Sequence, residues 1–209
     1  MSKPRAYGTF KMAGEYIYRT EAYIQWGESE ESLGACLMLN PGSAVLEPRL
    51  QRSLHTFGEA DGLVQTADPT MQQLIKIVEG IYGEKELAGR LHIYNLFQIQ
   101  CPKNSKAIDM MEELAQAGNY DVKSSLINIE TLQQHPWILF AWGVERRVKW
   151  THLRVVKDEW RKRVKEAGIP SFGKEHPKHD EYYHVCPHVM NKRAAMVTDL
   201  IRIYRDTVV

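Results

Sequence analysis

The stretch ACLMLNPGSA, residues 35–44, decides how the chain folds. Its first five residues are all apolar, which is typical of a short strand buried on both faces of a parallel sheet. An Asn-Pro-Gly turn ends the strand, and the small residues Ser43 and Ala44 follow it. Turn chemistry accounts for Pro41 and Gly42. It leaves open why a polar amide, Asn40, stands where the apolar run stops.

Two further apolar runs, LHIYNLF at 91–97 and WILFAWG at 137–143, predict strands, and a weaker one is predicted near YYHVC at 182–186. Amphipathic helical patterns lie between and after them. One is capped by Asp68, two follow caps at Ser105 and Asp121, a long one ends at Gly168, and one closes the chain. Strands that alternate with helices predict an α/β fold, a three-layer α/β/α sandwich with a mostly parallel central sheet. We expect one domain over residues 1–209, with residues 1–30 as an N-terminal hairpin extension.

Composition limits the cellular compartment and the partners that we expect for the protein. The chain has 209 residues and a formal charge of +1, so any affinity for nucleic acid must come from local patches. Its three cysteines are far apart, which indicates a reducing compartment. No apolar signal core or membrane-spanning run is present. We expect a cytoplasmic monomer without a membrane partner and without a cofactor.

Polar turns follow the predicted strands. Asn40 follows the first strand, Asn95 and the loop CPKN at 101–104 lie around the end of the second, and Gly143 ends the third. The carboxyl ends of parallel strands are where an open sheet binds ligands. A histidine-rich stretch at 172–188 comes late in the chain. The order of these features predicts one shared pocket.

That order resembles the uracil-DNA glycosylase superfamily, in particular its mismatch-specific and thymine-DNA branches. These branches carry a G-x-N-P-G block with Ser-Ala nearby, and residues 39–44, LNPGSA, are similar. Asn95 and the CPKN loop at 101–104 are similar to the second block of several branches. The final His-Pro turn of the family is matched by His176-Pro177 or, in a shifted register, by residues 177–179.

The chain also looks like a poorly characterised microbial family with an L-N-P-[SG] block, a D-P-T block and a late P-x-H-P-L-Y-like block. Residues 39–42, 68–70 and 177–182 match these blocks in order, with Asp180 in place of the second Pro. Together the resemblances cover most of residues 35–183. They imply a uracil-DNA glycosylase-like fold and a DNA glycosylase that flips a base out of DNA and excises it.

Cleavage of an N-glycosidic bond builds positive charge on the sugar and negative charge on the departing base. Such a reaction needs a group that positions water and a donor that faces the base. On this hypothesis Asn40 holds the water, Asp68 is a general base or electrostatic stabiliser, and His179 or His176 donates to the base. The alternatives are purely structural roles, in which Asn40 belongs to a turn and Asp68 caps a helix.

The base itself would be bound by Gly42, Ser43, Asn95 and Tyr182. Gly42 permits close approach of the backbone, and the Asn95 amide can recognise a base edge, although a structural network is as good an explanation for a buried amide. The uracil-specific branch has a bulky Tyr where this chain has Ser43 and Ala44. The resemblance therefore implies a 5-substituted pyrimidine, and a role in antiviral defence against modified phage DNA.

The segment 145–168 is strongly basic. Arg161, Lys162 and Lys165 are predicted to contact the DNA backbone, with a solvated helix face as the alternative. Two other functions stay open: a non-catalytic nucleic-acid or nucleotide-binding module of the same fold, and a metal-dependent hydrolase built on the C-terminal histidines. The spacing of these histidines matches no standard zinc site, so no metal is expected.

Overall fold

The computed structural model describes residues 3–64, 68–83 and 86–209. The first elements are the strands β1 (Arg5–Ala13), β2 (Tyr16–Trp26) and β3 (Ser32–Met38), the helix α1 (Pro48–Phe57), the strand β4 (Glu59–Leu63), the helix α2 (Pro69–Tyr82) and the strand β5 (Gly89–Asn95). They are followed by α3 (Asn104–Gln116), a 3-10 turn (Val122–Ser125), α4 (Ile129–Leu132), β6 (Ile138–Phe140) and α5 (Thr151–Ala167). The chain then forms β7 (Ser171–Phe172), β8 (Glu175–His176), β9 (His179–Tyr182), a 3-10 turn (Met190–Lys192) and α6 (Arg193–Thr207).

The fold is α/β, and seven strands form one mixed sheet in the order β4-β1-β2-β5-β3-β6-β7. Strands β5, β3, β6 and β7 run parallel, whereas β4, β1 and β2 pair antiparallel with their neighbours. The sheet is therefore more antiparallel than expected. The reason is that the N-terminal hairpin is not an extension, because β2 pairs directly with β5.

Apolar side chains fill both faces of the sheet. Helices α1, α2 and α6 cover one face, and α3, α4 and α5 cover the other. Leu37, Leu39, Ile93 and Leu139, which belong to the three apolar runs predicted as strands, are all buried. This layering brings α2 and α6 together above the carboxyl ends of β3 and β5.

The structure differs from the predicted secondary structure in three places. Val122, Leu126 and Ile129 were expected on one helix, but the chain forms a 3-10 turn capped by Asp121 and then the four-residue α4. Residues 183–186 were expected as a strand, but β9 ends at Tyr182. Helix α1 and strand β4 were not predicted, although Leu46, Leu50 and Leu54 recur every four residues, which is a helical period.

Among the described residues, no helix combines the length and apolarity that crossing a membrane requires.

Candidate functional site

A cavity of about 460 Å³ opens where the parallel strands end. This volume lies within the range of small-molecule sites. Its wall is made by the loops after β3, β5 and β6, the starts of α2 and α6, the segment before α6, and one residue of β2. The polar residues that line it are Arg19, Asn40, Ser43, Asp68, Thr70, Asn104, Glu145, Tyr183, His184, Cys186, His188 and Arg193.

Asn40 lies at the floor of this cavity and is 8% exposed. Its Nδ2 atom donates to the carbonyls of Ile99 at 3.3 Å and Cys101 at 2.9 Å. Both bonds go to the loop after β5, so they fix the amide plane. The Oδ1 atom is therefore the polar atom of Asn40 that is left to accept a hydrogen bond from a ligand or a water molecule.

The turn after Asn40 has room beside it. Gly42 has φ +65°, and a Cβ added there would meet nothing within 4 Å. Ser43 is exposed and lines the cavity. Ala44 is buried in the core and is not in the cavity wall, so the expectation that Ala44 enlarges the pocket is wrong.

Asp68 both caps α2 and faces the cavity. Its Oδ1 atom accepts from the Thr70 backbone N–H at 2.8 Å, and Pro69 takes the first helical turn, as expected. The two interpretations of Asp68 are compatible, because the cap uses one carboxylate oxygen. The field of Asp68 acts on Arg19 and on His184, so these groups lie near one another.

Asn95 ends β5, next to Met38 in the parallel register of β3. Strand spacing puts its Cα about 8 Å from that of Asn40. Its Oδ1 atom accepts from Arg19 Nη2 at 2.8 Å, and its Nδ2 atom is buried without a hydrogen-bond partner among the described residues. Asn95 does not line the cavity, contrary to the expectation that it binds the base there, and it is connected to the cavity wall through Arg19, a residue that the sequence did not single out.

Arg19 could not be found from strand alternation. Ala22, Ile24 and Trp26 are buried, so an uninterrupted period of two would put Arg19 on the other face. The register of the hairpin shifts, since Thr9 pairs with Glu21 and Phe10 pairs with Arg19. This β-bulge reverses the alternation and turns the guanidinium inward.

Glu145 is a second carboxylate in the cavity wall, and it was also missed. Its Oε1 atom accepts from Asn104 Nδ2 at 2.9 Å. Gly143 has φ +90°, a backbone conformation that favours glycine, and this turn leads the chain to Glu145. The glycine predicted to end the third strand thus lets the chain fold Glu145 back over the site.

His184, and not His176 or His179, is the histidine that lies near Asp68. Its Nδ1 atom lies 3.1 Å from the Cys186 backbone nitrogen and 3.3 Å from the Cys186 carbonyl oxygen, so it accepts from the N–H in the Nε2–H tautomer and donates to the carbonyl when Nδ1 carries a proton. Burial lowers the pKa of His184, and its hydrogen bond to Cys186 and the fields of Glu145 and Asp68 oppose this shift. A neutral imidazole with Nε2–H is a hydrogen-bond donor at pH 7.

The expectation that the 176–179 turn converges on the pocket is not met. His176 and His179 pair across the small hairpin of β8 and β9, with their rings stacked at 4.8 Å, and neither lines the cavity. Tyr182, expected at the base, packs edge-on against Phe140 and Trp142. The next residue, Tyr183, lines the cavity instead, because successive side chains of an extended chain point in opposite directions.

Over residues 3–64, 68–83 and 86–209, no group of three or more His, Cys, Asp or Glu side chains is arranged to hold a metal ion. The four late histidines are divided between the hairpin and the cavity, which separates the donor set on which the hydrolase hypothesis depends.

A second groove of about 420 Å³ adjoins the first and shares Glu145 with it. Arg146, Arg147 and Arg154 lie along this groove and are exposed. Beneath them Lys157 pairs with Glu181 at 2.7 Å, and both side chains are largely buried. The groove therefore offers a basic rim directly beside the cavity.

The three residues predicted to contact DNA differ in their ion pairs and in their position relative to the groove. Arg161 lines the groove, but it pairs with Asp158 at 3.1 Å and with Asp180 at 3.3 Å. Lys162 is exposed and lies 3.9 Å from Glu166, and Lys165 is exposed and outside the groove. The cations best placed for phosphate are thus at the start of α5 and just before it.

Comparison of the chain with protein-family models, with curated proteins and with solved structures finds no match.

Proposed function

We propose that the protein is a DNA glycosylase that flips a modified, 5-substituted pyrimidine out of DNA and hydrolyses its N-glycosidic bond. The observation that carries this proposal is the meeting of Asn40, Asp68 and His184 around one cavity at the carboxyl ends of the parallel strands. These residues lie far apart in the sequence. Together they provide an acceptor for water, a carboxylate and a neutral donor, which are the groups that the reaction needs.

Each group has a role that follows from its contacts. Asn40 Oδ1, held in place by the two bonds of its amide nitrogen, accepts a hydrogen bond from the attacking water. The Asp68 oxygen that is not used in the cap takes the proton of that water and stabilises the positive sugar. His184 Nε2–H donates to the leaving base. The basic rim at Arg146 and Arg154 holds the DNA phosphates.

The mixed α/β sheet is compatible with the sandwich of the uracil-DNA glycosylase superfamily, and we include this likeness in the proposal. The exposed Ser43 supports acceptance of a 5-substituent, because a small side chain there leaves space in the wall. Removal of such bases from modified phage DNA is the biological role that we propose.

The test is release of base from duplex and single-stranded oligonucleotides that carry uracil, thymine, 5-hydroxymethylcytosine or glucosylated 5-hydroxymethylcytosine. Abasic sites are detected as alkali-labile breaks. We expect breaks at a 5-modified cytosine in preference to uracil, and we expect Ser43→Tyr to remove that preference by filling the gap. Efficient release of uracil with every 5-modified base left intact would contradict the proposal.

A second function is supported by one observation. One carboxylate oxygen of Asp68 already accepts the helix-capping bond from the Thr70 backbone N–H, so only the other oxygen is left for a water molecule. A protein that binds the flipped base without cleaving it would keep the same cavity. Binding of modified DNA without abasic sites, at enzyme in excess over DNA and over hours, would identify this function.

A further inference from the structure

The second groove contains an arginine that is anchored on one side and exposed on the other. The Cζ atom of Arg147 lies over the ring of Trp150, 4.8 Å from the ring centroid. Trp150 is buried, and its indole nitrogen donates to Asp109 Oδ1 at 2.8 Å, so the ring is fixed. Arg147 itself is exposed and lines the groove. The ring beneath the guanidinium therefore holds it in place while it remains open to a ligand.

A cation in this position is suited to stacking. A guanidinium is planar, and one that rests on an aromatic ring can receive a second ring on its other face. Nucleic-acid bases bind proteins in this way, because they stack on arginine guanidinium groups as well as on aromatic side chains. A lysine in the same place would carry the same charge without a plane.

The groove also presents positive charge that the protein does not pair. Arg146, Arg147 and Arg154 are exposed along it, and none of them forms an ion pair within the described part of the chain. The carboxylates that line the groove already have partners, and these contacts are Glu181 with Lys157, Asp158 and Asp180 with Arg161, and Glu145 with Asn104. The charge that is left for a ligand is that of the three arginines, which suits a phosphate backbone.

The position of the groove indicates which part of a nucleic acid it would meet. The groove has a volume of about 420 Å³, the cavity has about 460 Å³, and Glu145 lies at their common border. Two adjoining sites of nearly equal size suit two consecutive units of one polymer. If a flipped base occupies the cavity, the neighbouring nucleotide is the unit that reaches the groove.

A double helix opposes this arrangement. In a duplex the neighbour of a flipped base is still paired and stacked, so moving it into the groove adds a second unstacking cost to that of flipping. In a single strand the neighbour has no pairing partner to leave. Two consecutive bases can therefore enter two separate sites more easily from a single strand.

We propose that the groove binds the base next to the flipped one in single-stranded DNA. This base stacks on the Arg147 guanidinium, and Arg146 and Arg154 hold the flanking phosphates. The inference rests on the proposed function and names its substrate as a single strand in which two consecutive bases are bound separately. Arg147 is a binding residue in this scheme and takes no part in the chemical step.

The binding test uses single-stranded oligonucleotides with one 5-hydroxymethylcytosine among thymines. A 2′-fluoro sugar at the modified base slows cleavage, because fluorine destabilises positive charge on the sugar. In matched strands a tetrahydrofuran spacer replaces the thymidine on the 5′ side, on the 3′ side, or several nucleotides away. In fluorescence anisotropy we expect one of the adjacent spacers to weaken binding at least about fivefold, and the distant spacer to weaken it less than about twofold. Equal binding of all these strands would overturn the inference.

Arg147→Lys separates stacking from charge. It keeps the positive charge and removes the plane, so the effect of the adjacent spacer should fall below about twofold while the salt dependence of binding stays the same. An effect that stays at about fivefold or more would overturn the inference and indicate that the groove binds phosphate only. Arg52→Lys, at an exposed position of α1 outside the groove and the cavity, is the control and should leave the effect unchanged.

The inference also predicts which form of DNA is cleaved. In single-turnover assays, release of 5-hydroxymethylcytosine from an ordinary deoxyribose should be at least about tenfold faster in a single strand than in the matching duplex. Equal release from the two forms, or faster release from the duplex, would overturn the inference.

The two proposals fail separately. If the adjacent base strengthens binding and Arg147→Lys removes this contribution, but no DNA yields abasic sites, the groove site stands and the glycosylase proposal is wrong. If abasic sites form and the adjacent base contributes nothing to binding, the glycosylase proposal stands and the groove site is wrong. Failure of every strand to bind would overturn both.

Discussion

Tyr94 and Asn95 are consecutive residues of β5, and the strand turns their side chains to opposite faces of the sheet. On the α5 face Tyr94 joins Ser32 and His135, and we call these three residues the closed cluster. On the α2 face Asn95 joins Arg19, and we call these two residues the open cluster. Both clusters are polar side chains packed on the same sheet. They differ in how many of their polar atoms have a hydrogen-bond partner.

The closed cluster has a partner for every polar atom. His135 is 4% exposed, its Nδ1 atom lies 2.7 Å from Ser32 Oγ, and its Nε2 atom lies 2.7 Å from the Tyr94 hydroxyl. None of its three residues lines either of the two cavities at the strand ends. The open cluster lacks partners for two donors, and one of its residues, Arg19, lines a cavity. A satisfied network contributes to stability, whereas an incomplete one beside a cavity is a mark of function.

The largest expected effect is on catalysis at the cavity. Asn40→Ala removes the acceptor that positions water, and it should lower the rate of base release about 10²–10³-fold in single-turnover assays while DNA binding changes little. Tyr94→Phe, which alters the closed cluster, should leave the rate within about twofold. Equal losses of rate and of DNA binding in Asn40→Ala would instead indicate a structural role for Asn40.

The next effect is on folding. His135→Leu leaves the partly buried Ser32 and Tyr94 without their shared partner, and we expect the free energy of unfolding in urea to fall by about 2–4 kcal/mol. His179→Leu is a matched control, because His179 is exposed on the β8–β9 hairpin and should change stability by less than about 0.5 kcal/mol. A loss for His135→Leu no greater than that of the control would show that the closed cluster is not stabilising.

A smaller effect is expected from pH. Burial, and the nearby His92, lower the pKa of His135 from 6.5 to about 4. Between these values the unfolded chain binds a proton that the folded chain excludes, so stability is full above pH 6.5 and is lost as the pH falls toward 4. We expect the free energy of unfolding to drop by about 1–2 kcal/mol from pH 7 to pH 5. His135→Gln should flatten this dependence, and a rise in stability on acidification would refute it.

The smallest effect concerns the basic rim. Arg146 and Arg154 are exposed and lie beside the cavity, whereas Lys162 and Lys165 lie farther along α5. Arg146→Ala with Arg154→Ala should weaken DNA binding and reduce the salt slope by about two. Lys162→Ala with Lys165→Ala is the control and should change the slope by less than one. If the control pair has the larger effect, the original assignment of the helix face to DNA is the better one.

The sequence predicted the parts of the fold that depend on short-range pattern. The apolar runs became β3, β5 and β6, and the Asp68-Pro69 signal became the start of α2. Asn40 could be predicted as a site residue because a polar amide stands directly after an apolar run. The sequence could not show which histidine meets Asp68, since that depends on how the β8–β9 hairpin folds away from the cavity.

The inward orientation of Arg19 could not be predicted from the sequence, for a physical reason. Its orientation depends on one bulged residue in the hairpin, and a bulge depends on the pairing of two strands and not on the residues of one. Glu145 was missed because its position depends on the left-handed backbone of Gly143. Arg19 and Glu145 could therefore be identified as cavity residues only from the three-dimensional structure.

The most direct test of the contrast between the clusters is thermal unfolding of the double variant Arg19→Met with Asn95→Leu, measured beside base release from 5-hydroxymethylcytosine DNA. If the open cluster is kept for a ligand, replacing it with apolar groups of similar size should raise the free energy of unfolding by about 1–3 kcal/mol. That corresponds to a melting temperature higher by roughly 2–10 °C, and base release should be lost. A melting temperature that falls as it does for His135→Leu, with base release retained, would contradict the account.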